Sequence, residues 1–291
     1  MSAIAKYRKK IKSAKNIAKI TKAMQMVAAS KMRRAQDSAT RSKVYTSELV
    51  NLSSILSSQI DESVHPLLRK SSTTRDLIVI IAPEKGLCGS LVTNISRKLL
   101  EIIGSTDASK TDFIVVGKKA RHIVGKMSGN IIGEFTLGVS QPTYEIVPPI
   151  TRLVEKEFVD GVVGRVVCLY TEFHTTINQE TLYKVLLPLS LAGNDILEKS
   201  VENGYKGYIK FEPSADVVCT EFLSMFLETE IYQLLLESYA SEQSARMVAM
   251  KNATDNAKSL MSQLTLEYNK KRQEMITSEI IDIGNAISSQ N

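Results

Sequence analysis

The sequence predicts an α/β protein in which long N- and C-terminal helices form an antiparallel coiled coil beside a central Rossmann-like α/β domain. Three observations predict it. Glycine and proline are missing from both ends: the first proline is Pro66, the first glycine is Gly86, and neither recurs between Pro213 and Gly284. Gaps of that length exceed an ordinary globular helix and read as coiled coil. Apolar residues at both ends alternate in threes and fours, whereas the middle carries short β-branched runs separated by helical patterns. The divisions are residues 1–60 for the first helix, 75–210 for the central domain and 213–287 for the last helix.

The first helix steps by seven through Ile4, Ile11, Ala18, Gln25, Met32 and Ala39, with Ala14, Thr21, Ala28 and Ala35 on the neighbouring seam position. Alanine there lets a second backbone approach closely. A separate stripe of Ile17, Ile20, Met24 and Val27 lies to one side and asks for a second partner. A helix of about 55 residues spans roughly 80 Å and one of about 70 roughly 105 Å. Such rods need a partner along their length, because propensity alone does not sustain them.

The central domain opens with LIVIIA at 77–82, an uninterrupted apolar run that reads as a buried strand. The loop PEKGLCGS at 83–90 follows, then a helix ending near Ile103. FIVV at 113–116 is a second strand with a helix after Gly117, and RVVCLY at 165–170 a third. Strand alternating with helix implies a small sheet covered by helices.

The last helix carries Met247, Met250, Thr254, Ala257, Met261, Leu264 and Tyr268 at coiled-coil spacing. Both rods join the same middle domain, one by its C-terminal end and the other by its N-terminal end, so they can pair antiparallel. If the first leaves near residue 60 and the last near 214, the neighbour of Met24 lies near residue 250. The last rod is the longer, so MITSEIIDI at 275–283, apolar on more than one side, has no helix opposite it and needs an apolar socket in another protein.

Charge is divided between the ends. The overall balance is +6, but the first 36 residues hold eleven lysines and arginines and no acid. From Asp216 onward eleven acids face six bases. An acid-free amphipathic start also fits a transit peptide; its unbroken continuation into a long helix favours the rod. Cys88, Cys168 and Cys219 are scattered and odd in number, which argues against a disulfide framework.

Little in the chain proposes catalysis. The Gly86-Leu-Cys-Gly89 turn lacks both phosphate-loop spacings, and no lysine follows it. His65, His122 and His174 are far apart, without zinc-site spacing. No cofactor or metal is expected, and no run is long and apolar enough to span a bilayer. The basic rod could neutralise phosphates in nucleic acid or an anionic membrane surface, with steep salt dependence. It has a single aromatic, Tyr7, in its first 36 residues, whereas nucleic-acid binders place aromatic or amide side chains among their cations. A third reading, an enzyme with helical arms, would place a nucleotide at residues 86–90.

Five stretches are similar to the γ subunits of F-type ATP synthases: KITKAMQMVAASKM at 19–32, KGLCG at 85–89, ASEQSARMVAMKNATDNA at 240–257, LEYNKKRQ at 266–273 and ITSE at 276–279. The resemblance covers nearly the whole chain. It implies a rotor, the central stalk of the complex, whose paired helices turn inside a ring of three α and three β subunits. The α/β domain would bind the ε subunit and sit on the membrane ring of c subunits. It implies a non-catalytic subunit, without cofactor and without nucleic acid, peripheral to the cytoplasmic face of a bacterial plasma membrane; the matrix face of a mitochondrial inner membrane is the lesser alternative. Contacts with β and within the rotor carry over to Arg8, Met24, Glu242, Arg246, Arg272, Gln273 and Thr277, and contacts with the c-ring to Ile209, Phe211 and Glu212. Two departures stand out. Gly284-Asn-Ala replaces the usual Gly-Ala pair, and Pro148-Pro149 falls where the family has helix. The redox insertion of chloroplast relatives is missing.

Overall fold

The computed structural model describes residues 3–57, 65–69, 71, 73–104, 110–138, 140–189, 212 and 214–288. Helix α1 runs Ala3–Ser57. It is followed by β1 (Asp76–Ile81), α2 (Leu91–Gly104), β2 (Thr111–Val116), α3 (Lys118–Lys126) and β3 (Asn130–Phe135). Then come a short 3-10 turn at Tyr144–Ile146, α4 (Val147–Val159), β4 (Arg165–Phe173), β5 (Gln179–Leu187) and α5 (Ala215–Ser288). The chain divides into two compact units. One combines residues 1–28 with 246–291 and the other holds residues 29–245, so α1 and α5 contribute to both.

Within the larger unit the five strands lie in the order β3-β2-β1-β4-β5. β1, β2, β3 and β4 are parallel neighbours, and β5 returns antiparallel to β4. β1 and β2 are buried at every position because helices cover both faces, which is why they read as continuous apolar runs. Leu77, Val79 and Ile81 face α4 and the first turns of α5, packing with Ile150, Val154, Leu223, Leu227 and Ile231. Ile78 and Ile80 face the other way, toward Ile95 and Leu99 of α2 and Val124 of α3.

The strands β3 and β5, which the sequence alone does not announce, are the two edges. β3 is half-exposed and interrupted by Gly133, and β5 alternates exposed with covered positions, so neither has an apolar run. Pro148 and Pro149 do not break a helix; they stand in the first turn of α4, where the missing N–H is an orphan in any case.

Two buried carboxylates mark the start of the parallel strands. Asp112 accepts from Arg75 Nε at 2.7 Å and from Asn130 Nδ2 at 2.7 Å, and Asp76 is paired with Arg165. A third acid, Glu237 on α5, is half-buried, and its carboxyl is held above the usual carboxylate range. Burial is the main cause, with Glu172 adding to it, while the Gln233 amide at 3.0 Å and Lys43 and Lys184 oppose it. The sign follows from linkage. The folded chain holds this proton to higher pH than the unfolded chain does, so stability falls as pH rises from the normal carboxylate range through the raised value, then levels off. Glu237→Gln is therefore expected to melt higher than the parent at pH 7 and to match it at pH 4; thermal melts of the isolated chain across that range check it.

Candidate functional site

The smaller unit is an antiparallel pair of helices whose seam is built from small residues. Ala14 and Ala28 of α1 are almost fully buried, as are Met250, Thr254, Ala257 and Leu264 of α5. Small side chains on α1 and larger ones on α5 alternate across the seam. One polar pair sits in it: Thr254 Oγ1 donates to Thr21 Oγ1 at 2.7 Å, and Thr21 passes its own proton to the carbonyl of Ile17 at 2.9 Å. The pair marks the register: sliding by one turn would break the cross-helix bond and set each hydroxyl against apolar neighbours, leaving only the bonds to the Ile17 and Met250 carbonyls within each helix.

A second cross-link gives the register independently. Arg8 Nη2 donates to the hydroxyl of Tyr268 at 3.2 Å, with its guanidinium 6.0 Å from the ring centroid. From Arg8 to Thr21 is 13 residues along α1 and from Tyr268 back to Thr254 is 14 along α5, as antiparallel partners require. Met24 is therefore level with about residue 251, as the spacing along the sequence anticipates.

The same register leaves the end of α5 alone. Arg8 is level with Tyr268, so Ala3, the first described residue of α1, is level with about Gln273. Beyond it α5 continues to Ser288. Met275, Ile276, Ile280, Ile281 and Ile283 are all exposed there, the last three by more than half. A second apolar surface lies on α1, where Ile17, Ile20, Met26 and Val27 are exposed between the exposed cations Lys15, Lys19 and Lys22.

The residues singled out from the sequence fall into three groups. Arg8 and Arg272 act on one phenol: Arg8 donates to Tyr268 and pulls its pKa down most strongly, and the charge of Arg272 adds to the lowering. Gln273 and Thr277 are exposed one turn apart, and the Thr277 hydroxyl donates to the Gln273 carbonyl at 2.9 Å. Met24 and Arg246 are half-buried. Glu242 belongs to the larger unit and is buried, lining a small cavity with Ala82, Pro83, Leu137 and Tyr239. Glu212 is exposed, while Ile209 and Phe211 lie outside the described residues.

Sequence reasoning passed over Tyr268 as a partner for the arginines. Extending the spacing argument from Met24 back to Arg8 would have located it, since a constant antiparallel register places the neighbour of residue 8 near 266.

The loop after β1 is a tight strand-to-helix connection. Leu87 and Gly89 both take left-handed backbone, Cys88 is buried beneath them, and the Leu87 side chain stands 62% exposed. Among the described residues no group of three or more His, Cys, Asp or Glu is placed to hold a metal ion, and no helix is long and apolar enough to cross a membrane. What the paired helices offer is contact: a rigid rod with an apolar stripe, a cationic skin and an apolar end.

The family described as ATP synthase matches residues 3–289. The chain is 38% identical over 278 residues to the ATP synthase gamma chain of Dehalococcoides mccartyi, covering 95% of each. It is 37% identical over 288 residues to that of Paracidovorax citrulli, covering 97% of this chain and 98% of the relative. In fold it resembles a chain from the central stalk and c-ring of the Tetrahymena thermophila mitochondrial ATP synthase, with TM-score 0.61, 24% identity and coverage of 80% and 99%. It also resembles one from the Euglena gracilis mitochondrial ATP synthase, with TM-score 0.68, 20% identity and coverage of 99% and 94%.

Proposed function

The chain belongs to the ATP synthase gamma-chain family, and from that premise we propose that it is the central rotor stalk of an F-type ATP synthase. It couples ion-driven rotation of a c-ring to synthesis, or in reverse hydrolysis, of ATP on the β subunits. The observation that carries the reading, beyond family membership, is the apolar end of α5. Five exposed methionine and isoleucine side chains on helix beyond the level of Ala3 are costly in water and need an apolar sleeve.

The division into a first helix (1–60), a central domain (75–210) and a last helix (213–287) belongs to this reading. The paired helices enter a ring of three α and three β subunits, and the central domain meets the ε subunit and the c-ring. Arg8, Met24, Arg246, Arg272, Gln273 and Thr277 form the surface offered to β and to the partner helix. Glu242 contributes from beneath the Pro83 loop. Ile209, Phe211 and Glu212 are the residues assigned to c-ring contact by the family resemblance. The stalk is peripheral to the cytoplasmic face of a bacterial plasma membrane.

On this reading no residue of the chain touches the bond being made. The stalk acts as a ligand whose orientation selects among β conformations, and it shifts an equilibrium only through differential contact with each state. Swinging one β site from 1:99 to 99:1 takes about 5.5 kcal/mol of such difference. An unequal surface supplies it, since each β neighbour meets a different face of the rod. Rotation then exchanges the three roles.

Co-expression with α and β subunits of the same organism tests this. The expected result is a stable complex holding one copy of this chain per three αβ pairs, with ATP turnover that depends on it. A complex that forms and turns over without the chain would overturn the reading. The competing reading, a basic coiled coil for nucleic acid or anionic membranes, then requires steeply salt-dependent binding by the chain alone.

A further inference from the structure

β4 is longer than its neighbour. Its pairing with β1 ends at Ile80 and Leu169, yet it runs on to Phe173, paired only with β5. Past Leu169 the side of β4 that faced β1 has no strand beside it, and Thr171 is buried there. Its main-chain groups must find partners elsewhere, and they find them on α5. Thr171 N–H donates to Ser238 Oγ at 3.2 Å, and Ser241 Oγ donates to the Thr171 carbonyl at 3.1 Å.

One turn further, Ser244 Oγ donates to the carbonyl of Thr176 at 2.9 Å, in the hairpin that joins β4 to β5. Gln179 at the start of β5 completes the attachment. Its Nε2 reaches the carbonyls of Thr175 and Thr176 at 3.1 and 2.9 Å and Ser244 Oγ at 3.4 Å. The three serines step by three along one side of the helix and are all buried, Ser241 and Ser244 completely. Next to them Tyr239 and Ala240 pack on Ala35 of α1 and Phe173 of β4.

We propose that Ser238, Ser241 and Ser244 are positioning residues that lock the rotation angle of α5 against the β4–β5 hairpin, so that torque applied to the α/β domain enters the shaft helix without slip. The proposal rests on the rotor reading above. Apolar burial is non-directional and tolerates a helix rolling on its own axis. Hydrogen bonds weaken steeply once bent. These end on main-chain atoms of a hairpin, which cannot follow a rolling helix as a flexible side chain would. Spread over about 9 Å of helix, three such links resist roll where one would only pivot. They also stop two residues short of Arg246, where α5 passes into the smaller compact unit.

The test uses the complete complex with the c-ring, halted by a non-hydrolysable ATP analogue. A bead is attached through Lys118→Cys; Lys118 is exposed, and the three native cysteines are buried. The triple change Ser238→Ala, Ser241→Ala, Ser244→Ala is expected to widen the thermal angular distribution of the bead about twofold. Unloaded ATP hydrolysis and the copy number of the chain stay at parent values, and Gln179→Leu shifts the width in the same direction by less. If the triple variant does not assemble, Gln179→Leu decides alone. Widths equal to the parent's overturn the ladder while leaving the rotor intact. A parent bead that never turns with ATP removes the rotor reading and overturns the ladder with it.

Discussion

Met24→Lys is expected to abolish ion-driven ATP synthesis in the assembled complex while ATP hydrolysis continues. Met24 is half-buried at the margin of the seam, beside the exposed stripe of Ile17, Ile20 and Val27. Its surroundings in sequence are already cationic: Lys19 and Lys22 precede it, Lys31 follows, and no acid occurs before Asp37. Across the seam Arg246 is five residues, or about 7.5 Å, from the level of Met24. A lysine there cannot stay in the seam and extends its ammonium outward, toward the surface proposed above to meet β.

A carboxylate of a partner at about 4 Å then gains about 4 kcal/mol at an effective dielectric of 20. That is of the same order as the about 5.5 kcal/mol that moves a two-state site from 1:99 to 99:1. A contact of this size, made at one angle only, holds the rotor in one dwell and dissociates rotation from synthesis. Met24→Leu, apolar and similar in volume, is expected to stay coupled. The assay is synthesis driven by an imposed ion gradient in vesicles, read beside hydrolysis; unchanged synthesis in the lysine variant would refute the placement of Met24 at a β contact.

The sequence carries the fold best where one repeating constraint acts over many residues. Ala14, Ala28, Thr254, Ala257 and Leu264 are legible as seam because a heptad repeats across the whole rod, and all of them are buried. β1, β2 and β4 are legible because helices cover both faces of their central stretches and demand apolar residues there. Edge strands face no such demand. β3 holds a glycine whose added Cβ would meet Leu153 at 2.6 Å, so its composition records a close approach and not a strand. Pro148 and Pro149 show the same limit from the other side: proline punctuates a helix differently at its first turn than inside it.

At the functional surface, the apolar end of α5 follows from the difference in helix lengths. The contacts that join distant stretches do not follow from composition. Nothing in the residues around Ser238 announces that β4 outruns β1, and the pairing of Arg8 with Tyr268 spans 260 positions. Such contacts become readable only once a register is known, and one reliable pair then gives the others.

Gly117→Ala is expected to leave almost no folded chain, and no assembled complex. Gly117 closes the turn from β2 into α3 at φ 95, a backbone that L side chains rarely adopt. A Cβ there would stand 2.1 Å from the carbonyl oxygen of Ala82. That oxygen belongs to the main chain just after β1, so it has no rotamer with which to yield. The turn is held from three sides. Gly117 N–H donates to Phe135 O at 2.7 Å, Ala82 N–H to Val116 O at 3.0 Å, and Lys119 N–H to Pro83 O at 3.1 Å. Relief would mean parting the ends of β1, β2 and β3 together. Changes of this kind exceed about 4 kcal/mol, out of a typical domain stability of about 5–15 kcal/mol. Gly138→Ala is the comparison that lacks the clash. Gly138 is also left-handed, at φ 66, but a Cβ there meets no heavy atom within 4 Å. It therefore carries only the conformational strain, about 1–2 kcal/mol, and should still fold and assemble. Soluble yield and urea denaturation of the two variants give the comparison. If Gly117→Ala unfolds within a few tenths of a molar of Gly138→Ala, strain alone accounts for both, and the close packing of the turn on Ala82 contributes nothing to holding the sheet together.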